Sequence, residues 1–158
     1  MTSTQLPSSE SPKHIYETDF VAWADRMAEL LRTKRFDQID LVNLIEEVQD
    51  LGNRHRDALS SHLTVLLMHL LKWQYQPAQR SSSWSGSIKN SRKQIRRLIR
   101  KYPSLKNYLF QCLPESYQDA VEDATDETEL DPSVFPKDCP YAVEQILESD
   151  DLLIDLIP

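Results

Sequence analysis

Three histidines, His55, His62 and His69, recur at seven-residue intervals and are the first candidates for chemistry. On an α-helix this spacing places the imidazoles on one side, in the row that Leu41 and Val48 occupy upstream. Seven residues of helix span about 10 Å, whereas a zinc ion holds its ligands at about 2 Å. The pattern therefore predicts hydrogen-bonded core histidines and no metal site. A pH-sensitive oligomer interface is the alternative.

A second set of candidates combines charged residues with aromatic rings. Glu47 borders the apolar side of the same predicted helix, but more than about 30 Å of straight helix separates it from His69. An acid–base pair of these two residues needs a helix break at Gly52 or a second subunit. The residues that could line a ligand pocket or stabilise a helix junction are Glu47, His69, Trp73, Tyr75, Arg80 and Trp84.

Motifs for covalent or nucleotide chemistry do not occur in the sequence. The serines around Trp84 are not part of a G-x-S-x-G elbow, so we interpret them as capping and turn residues. Two glycines in the whole chain cannot build a Gly-rich phosphate loop. Cys112 and Cys139 are isolated from each other and form no zinc motif. The sequence predicts no catalytic residue, no metal and no cofactor.

The charged residues are segregated along the chain. The net charge of −7 divides into −5 for residues 1–53, +10 for residues 54–101 and −12 for residues 102–158. Most of the positive charge belongs to a predicted helix over residues 84–102, on the side opposite its apolar stripe. This predicted interaction face consists of Lys89, Arg92, Lys93, Arg96, Arg97, Arg100 and Lys101.

Three interpretations of this basic face compete. Clustered cations on a helix release counterions from phosphates and so favour nucleic-acid binding, but the acidic pI of about 5.1 argues against it. Docking on a membrane surface would require a free apolar stripe, which bundle packing occupies. We favour a face that pairs with acidic groups, either in the C-terminal third of this chain or on a partner.

Composition also limits where the protein is located. The sequence has no run of 18 apolar residues that could cross a bilayer, so we expect no membrane partner. The N-terminus is rich in serine and proline and lacks the apolar segment of a signal peptide. We therefore expect a soluble cytoplasmic protein with reduced cysteines.

Apolar periodicity predicts an all-α fold, a single-domain bundle of about five to seven helices. One helix is long and covers about residues 40–75. It is either continuous or divided into two nearly collinear helices by a flexure at Gly52. Its apolar residues from Leu41 to Trp73 fall on one broad face. The predicted organisation is a flexible leader over 1–14, a helical domain over 15–148 and an acidic, aliphatic tail over 149–158.

The remaining helices are placed by their capping signals and prolines. Thr18 or Asp19 opens the first helix, which ends near Lys34, and Ser83 opens the basic helix. Two short helices, from Ser104 to Leu113 and from Glu115 onwards, are predicted on either side of Pro114. Pro140 is predicted in the first turn of a last helix around Ala142 to Leu147.

Five ordered sequence blocks resemble a known family. They are YETDFVAW (16–23), NLIEEVQDLG (43–52), HLLKWQYQP (69–77), RSSSWSGSI (80–88) and FPKDCPY (135–141). They are similar to the bacterial family catalogued as domain of unknown function twenty-nine, over about residues 15–148. The resemblance implies an all-helical single domain with no assigned activity, cofactor or catalytic residue. It also singles out His69 among the histidines, because His69 alone lies inside a block.

The leading functional hypothesis is a non-enzymatic interaction or regulatory module. It uses the basic face of helix 84–102 to bind an acidic protein partner or to form a homo-oligomer. One alternative is an enzyme or small-ligand-binding protein with a pocket near Glu47, His69, Arg80 and Trp84. Another alternative is nucleic-acid binding through the basic helix.

Overall fold

The computed structural model describes residues 11–148, and within them the only regular structure is helical. This confirms the predicted all-α fold with one long helix. The six α-helices are α1 (Pro12–Thr18), α2 (Phe20–Arg32), α3 (Leu41–Tyr75), α4 (Ser82–Lys101), α5 (Leu105–Thr128) and α6 (Val143–Glu148). Short 3₁₀ turns lie at Phe36–Gln38, Pro77–Gln79 and Pro132–Val134. The chain divides into two compact units, with the boundary between Asn53 and Arg54.

The first unit contains α1, α2 and the beginning of α3. The Asp19 carboxylate caps α2 by accepting from the backbone N–H of Ala22 at 3.0 Å, which confirms the predicted start. Lys34 follows α2 in the left-handed region, with φ 59°, so the helix ends two residues earlier than predicted. The buried core of this unit is small and consists of Trp23, Met27 and Leu30.

α1 was not predicted. Ser11 caps it, accepting from the backbone N–H of His14, and Pro12 occupies its first position, where a missing N–H has no cost. Helical structure therefore begins inside the segment predicted as a leader. Residues 1–10 of that leader, and the predicted tail over 149–158, lie outside the described residues.

α3 is one continuous helix of 35 residues and passes through Gly52. The apolar face predicted along its whole length is buried only in the second half. Leu59, Leu63 and Leu66 are fully buried. Upstream, Leu44 is partly buried against the core of the first unit, whereas four other apolar residues of this face are between 48% and 61% exposed. These exposed residues are Leu41, Ile45, Val48 and Leu51.

The second unit packs α4, α5, α6 and the second half of α3 around a larger core, with nineteen buried residues among those described. α4 begins at Ser82, two residues before the predicted start at Trp84, because Ser81 is the capping residue and accepts from the backbone N–H of Trp84. The predicted cap at Ser83 was therefore wrong.

α5 corrects the prediction of two short helices. It continues through Pro114, although proline lacks the N–H for a helical hydrogen bond. Buried residues on both sides of the proline, including Leu109, Cys112, Tyr117 and Ala120, fix both halves against the same core. Tertiary packing therefore overrides the local helix-breaking signal.

α6 begins at Val143, so Pro140 lies outside the helix instead of in its first turn. The side chain of Gln145 accepts from the backbone N–H of Ala142 at 2.9 Å. This is the reciprocal half of a capping box, in which the third helical residue reaches back to the capping position. The Gln145 side chain therefore stabilises the start of α6 at Val143. The prediction from Pro140 did not take this capping residue into account.

Candidate functional site

Lys72, near the C-terminal end of α3, is one of two buried charged residues in the described part of the second unit, and Arg92 is the other. Lys72 is only 7% exposed, and its ammonium group forms an ion pair with the Glu127 carboxylate of α5. The ammonium nitrogen also lies 4.6 Å from the centre of the Trp84 ring. A buried cation needs such partners, since desolvation of an unpaired charge is costly. Lys72 thus connects α3, α4 and α5.

Arg80 closes the C-terminal end of α3. Its Nε donates to the backbone carbonyl of Trp73 at 2.8 Å, and its guanidinium carbon lies 5.0 Å from the centre of the Trp73 ring. That carbonyl is among the last four of the helix, which have no partner inside the helix. Arg80 therefore acts as a helix cap, which matches the junction alternative for Trp73 and Arg80.

The loop before α6 packs on the same end of α3. The Tyr75 and Phe135 rings meet edge to face at 5.3 Å, and the Tyr141 hydroxyl donates to Oε1 of Gln74 at 2.9 Å. Burial raises the pKa of Tyr141 above the ordinary value for tyrosine, which keeps the hydroxyl protonated as a donor. Residues from three of the family-like blocks thus meet where α3 ends.

The histidines occupy separate environments along α3. His69 is half-buried and its Nδ1 lies 2.8 Å from the carbonyl oxygen of Val65, one turn earlier. The His55 ring lies 4.2 Å from the Tyr102 ring, measured between centres. Among residues 11–148 no group of three His, Cys, Asp or Glu side chains has the geometry of a metal site.

Glu47 belongs to the first unit, whereas the other five residues of the predicted pocket belong to the second. Its Oε1 accepts from the Tyr16 hydroxyl at 2.7 Å. This hydrogen bond, with smaller contributions from desolvation and neighbouring carboxylates, raises the pKa of Tyr16 to about 12. Nearby, Asp40 accepts from the Trp23 indole at 3.1 Å and from the Asn43 amide at 2.7 Å. Polar contacts of the first unit thus connect two other family-like blocks.

The basic face of α4 divides into anchored and exposed residues. Arg92 is only 3% exposed and its Nε donates to the carbonyl of Ile146 at 2.9 Å, while Nε of Arg96 donates to the carbonyl of Leu147. Both carbonyls belong to the last turn of α6, so the two arginines cap that helix. The prediction that Arg92 lies on the solvent side is therefore wrong.

The remaining five cations of this face are exposed: Lys89, Lys93, Arg97, Arg100 and Lys101. Within residues 11–148, no carboxylate forms an ion pair with Lys89, Lys93, Arg97 or Arg100. Beside them is a depression of about 320 Å³ lined by Lys89, Arg92, Lys93 and Arg96. On the apolar side of α4, Ile88 and Ile95 are fully buried and Leu98 and Ile99 are partly buried, so the accessible side of the helix is mainly cationic.

The family model for the domain of unknown function DUF29 matches residues 15–152, nearly the whole chain. The chain belongs to the DUF29 family. Comparison with curated proteins and with solved structures gives no significant match. The membership confirms the family proposed from the five blocks.

Two features of this DUF29 chain were missed by sequence reasoning. The Lys72–Glu127 pair joins residues 55 positions apart, and its only sequence signal is a lysine inside the apolar run HLLKW. The second is an acidic groove of about 680 Å³ between α3 and α5. The sequence feature that could have indicated this groove is the helical spacing of the carboxylates on α5. The carboxylates lining it are Asp57, Glu115, Asp119, Glu122 and Asp123.

Proposed function

We propose that this DUF29 chain is a non-enzymatic interaction module, and that the exposed cations of α4 bind an acidic surface of a partner protein. The observation that supports the proposal is the concentration of exposed cations on one side of α4, opposite the side that carries the buried Ile88 and Ile95. These cations, Lys89, Lys93, Arg97 and Arg100, form no ion pair within residues 11–148. Such an arrangement attracts an anionic surface over a distance comparable to the Debye length.

The contacts of the predicted pocket favour a binding module over an enzyme. His69, Arg80 and Glu47 each contact a group with an evident structural purpose, namely a backbone carbonyl or the Tyr16 hydroxyl. A general acid or base instead needs to reach a substrate atom from a cleft. We therefore interpret Trp73, Tyr75, Arg80 and Trp84 as the structural junction that positions α4.

The proposal includes a cytoplasmic location and a domain organisation of leader, helical domain and tail. Two free cysteines, Cys112 and Cys139, suit a reducing compartment. Among residues 11–148 there is no helix with the length and apolar character needed to traverse a bilayer. Fractionation of cells producing the full chain with an epitope tag checks the location.

Charge reversal tests the binding surface directly. A fluorescent poly-glutamate peptide is titrated with the wild-type chain and with the R97E/R100E variant, at about 50 and about 300 mM salt. We expect binding that weakens with salt and is lost in the variant, because the exposed cations supply the attraction. The control variant K13E/K137E makes the same change in net charge at exposed lysines outside α4, and we expect it to bind like wild type.

Equal binding by both variants would contradict the proposal, since it would show that only net charge matters. A DNA duplex of similar length is titrated in parallel. If the duplex binds far more tightly than the peptide, and R97E/R100E abolishes this binding, the face serves nucleic acid and the proposed partner class is wrong.

A further inference from the structure

The first unit exposes far more apolar surface than its size explains. Of the twelve large hydrophobic residues that are exposed within residues 11–148, nine lie in this unit: Phe20, Val21, Leu31, Phe36, Leu41, Val42, Ile45, Val48 and Leu51. Only three residues form its buried core. Single exposed hydrophobics are normal on a protein surface, but a concentration of this kind marks an interaction site.

Four of these residues form a stripe on α3, which we call the α3 stripe: Leu41, Ile45, Val48 and Leu51. At about 100° per residue they fall within a sector of about 120° around the helix axis. They are 61%, 48%, 59% and 60% exposed, respectively. An amphipathic helix normally turns such a stripe towards a partner, so the stripe indicates a contact outside the unit.

We propose that the α3 stripe is a dimer interface and that its partner is the same stripe on a second copy of this chain. A standard interface buries about 800 Å² per partner, somewhat more than half of it apolar, so about 450 Å² of apolar surface is needed. At their exposed fractions, side chains of the size found in the stripe supply roughly 400 Å². Val42, which is 71% exposed and about 60° from Ile45 around the helix axis, adds to this area.

The charge pattern also suits a second copy. The stripe itself contains no charged residue, so an identical apolar surface complements it without ion pairs. Glu46 and Asp50 lie on the opposite side of α3, about 140° and about 180° from Leu41, so these carboxylates of two copies are not brought together. Glu47 borders the stripe, and its carboxylate accepts from the Tyr16 hydroxyl of its own chain. Burial of the stripe also adds apolar contacts to a unit with a thin core.

This interface is separate from the basic face of α4, and salt distinguishes the two. Apolar association between acidic units strengthens with salt, because salt screens their repulsion and leaves the apolar contact intact. Binding through the exposed cations of α4 weakens with salt. The two proposals can therefore fail independently.

Sedimentation velocity on the full chain, from about 1 to about 100 μM and at about 50 and about 500 mM salt, measures the association. We expect a dimer that is tighter at high salt. V48K should raise its dissociation constant by at least about tenfold, because a substitution in a two-fold interface acts twice. V65K places the same change on α3 outside the stripe, at a residue 40% exposed, and should leave dimerisation unchanged.

Circular dichroism checks that V48K keeps the fold, which we expect because Val48 is 59% exposed in the monomer. If V48K nevertheless unfolds, I45E replaces it at the neighbouring stripe position. A wild-type chain that remains monomeric up to about 100 μM at both salt concentrations would overturn the proposal. A dimer that survives an I45E/V48K double substitution, or that R97E/R100E dissociates, would also overturn it.

Discussion

The two units of this DUF29 chain use similar helices but bury very different amounts of apolar surface. Counted over residues 11–148, the core of the second unit contains nineteen buried residues, whereas that of the first contains three and leaves nine large hydrophobics exposed. Small units bury a smaller fraction of their surface and often depend on a partner. The difference indicates that the second unit supplies most of the folding free energy, and it agrees with our proposal that a second copy covers the apolar surface of the first unit.

Truncation of apolar residues on α3 tests this difference most strongly. Leu66→Ala, in the fully buried part of the helix, should lower the free energy of unfolding by about 2 to 5 kcal/mol, because it removes buried methyl groups and leaves a cavity. Val48→Ala, in the exposed part, should change it by less than about 0.5 kcal/mol in the monomer. Urea unfolding at low protein concentration measures both values, and equal effects would contradict the division of α3 into buried and exposed parts.

The Lys72–Glu127 pair gives a second, smaller test within the better-packed unit. Glu127→Ala leaves the ammonium group of Lys72 buried without its carboxylate and should cost about 1 to 3 kcal/mol. Lys72→Met removes the buried charge and keeps an apolar side chain of similar length, while Glu127, which is 49% exposed, can turn to water. This variant should stay within about 1 kcal/mol of wild type. Thermal unfolding of the two variants side by side shows whether the expected asymmetry exists.

The Tyr16–Glu47 hydrogen bond gives the smallest effect and concerns the first unit. The pKa of Tyr16 is raised from 10 to about 12, chiefly by this hydrogen bond. The contribution of this hydrogen bond to the free energy of unfolding is therefore fully present below pH 10 and is lost as the pH rises through about 12. Glu47→Gln should lower the pKa of Tyr16 towards 10, which an absorbance titration of the phenolate measures.

Tyr117 provides the internal control for this titration. Burial raises its pKa as well, but it lies in the second unit and its hydroxyl donates to the Pro136 carbonyl at 2.6 Å. Glu47→Gln should leave its titration unchanged. A titration curve that is identical in wild type and variant would show that Glu47 does not control Tyr16.

Apolar periodicity was sufficient to predict α2, α3 and α4, because each carries a long stripe that is amphipathic at helical spacing. It could not show which part of the α3 stripe is covered, since burial depends on neighbours distant in sequence. The error for Arg92 was one of geometry, because this residue lies only about 40° from Ile88 around the helix axis. Its angular position borders Ile88 and Ile95, and the apolar part of an arginine can be buried while its head group binds carbonyls.

The errors at Pro114 and Pro140 both follow from the use of proline as the signal for a helix boundary. Proline is a strong local signal, but a helix can continue through it where core residues on both sides fix the chain, as they do in α5. For the candidate site, the residue types were sufficient to select Trp73, Tyr75, Arg80 and Trp84. They did not show which contacts these residues make. That Arg80 caps a helix end and that Lys72 is paired depend on three-dimensional contacts alone.

The division of α3 also has a consequence for amide hydrogen exchange along one uninterrupted helix. Amides around Leu63 and Leu66 can exchange only when the large core opens, whereas those near Leu41 are released by fraying of a few helical turns. Protection factors should therefore rise steeply along α3 from its N-terminal to its C-terminal half. A single secondary-structure element would then contain both weakly and strongly protected hydrogen bonds.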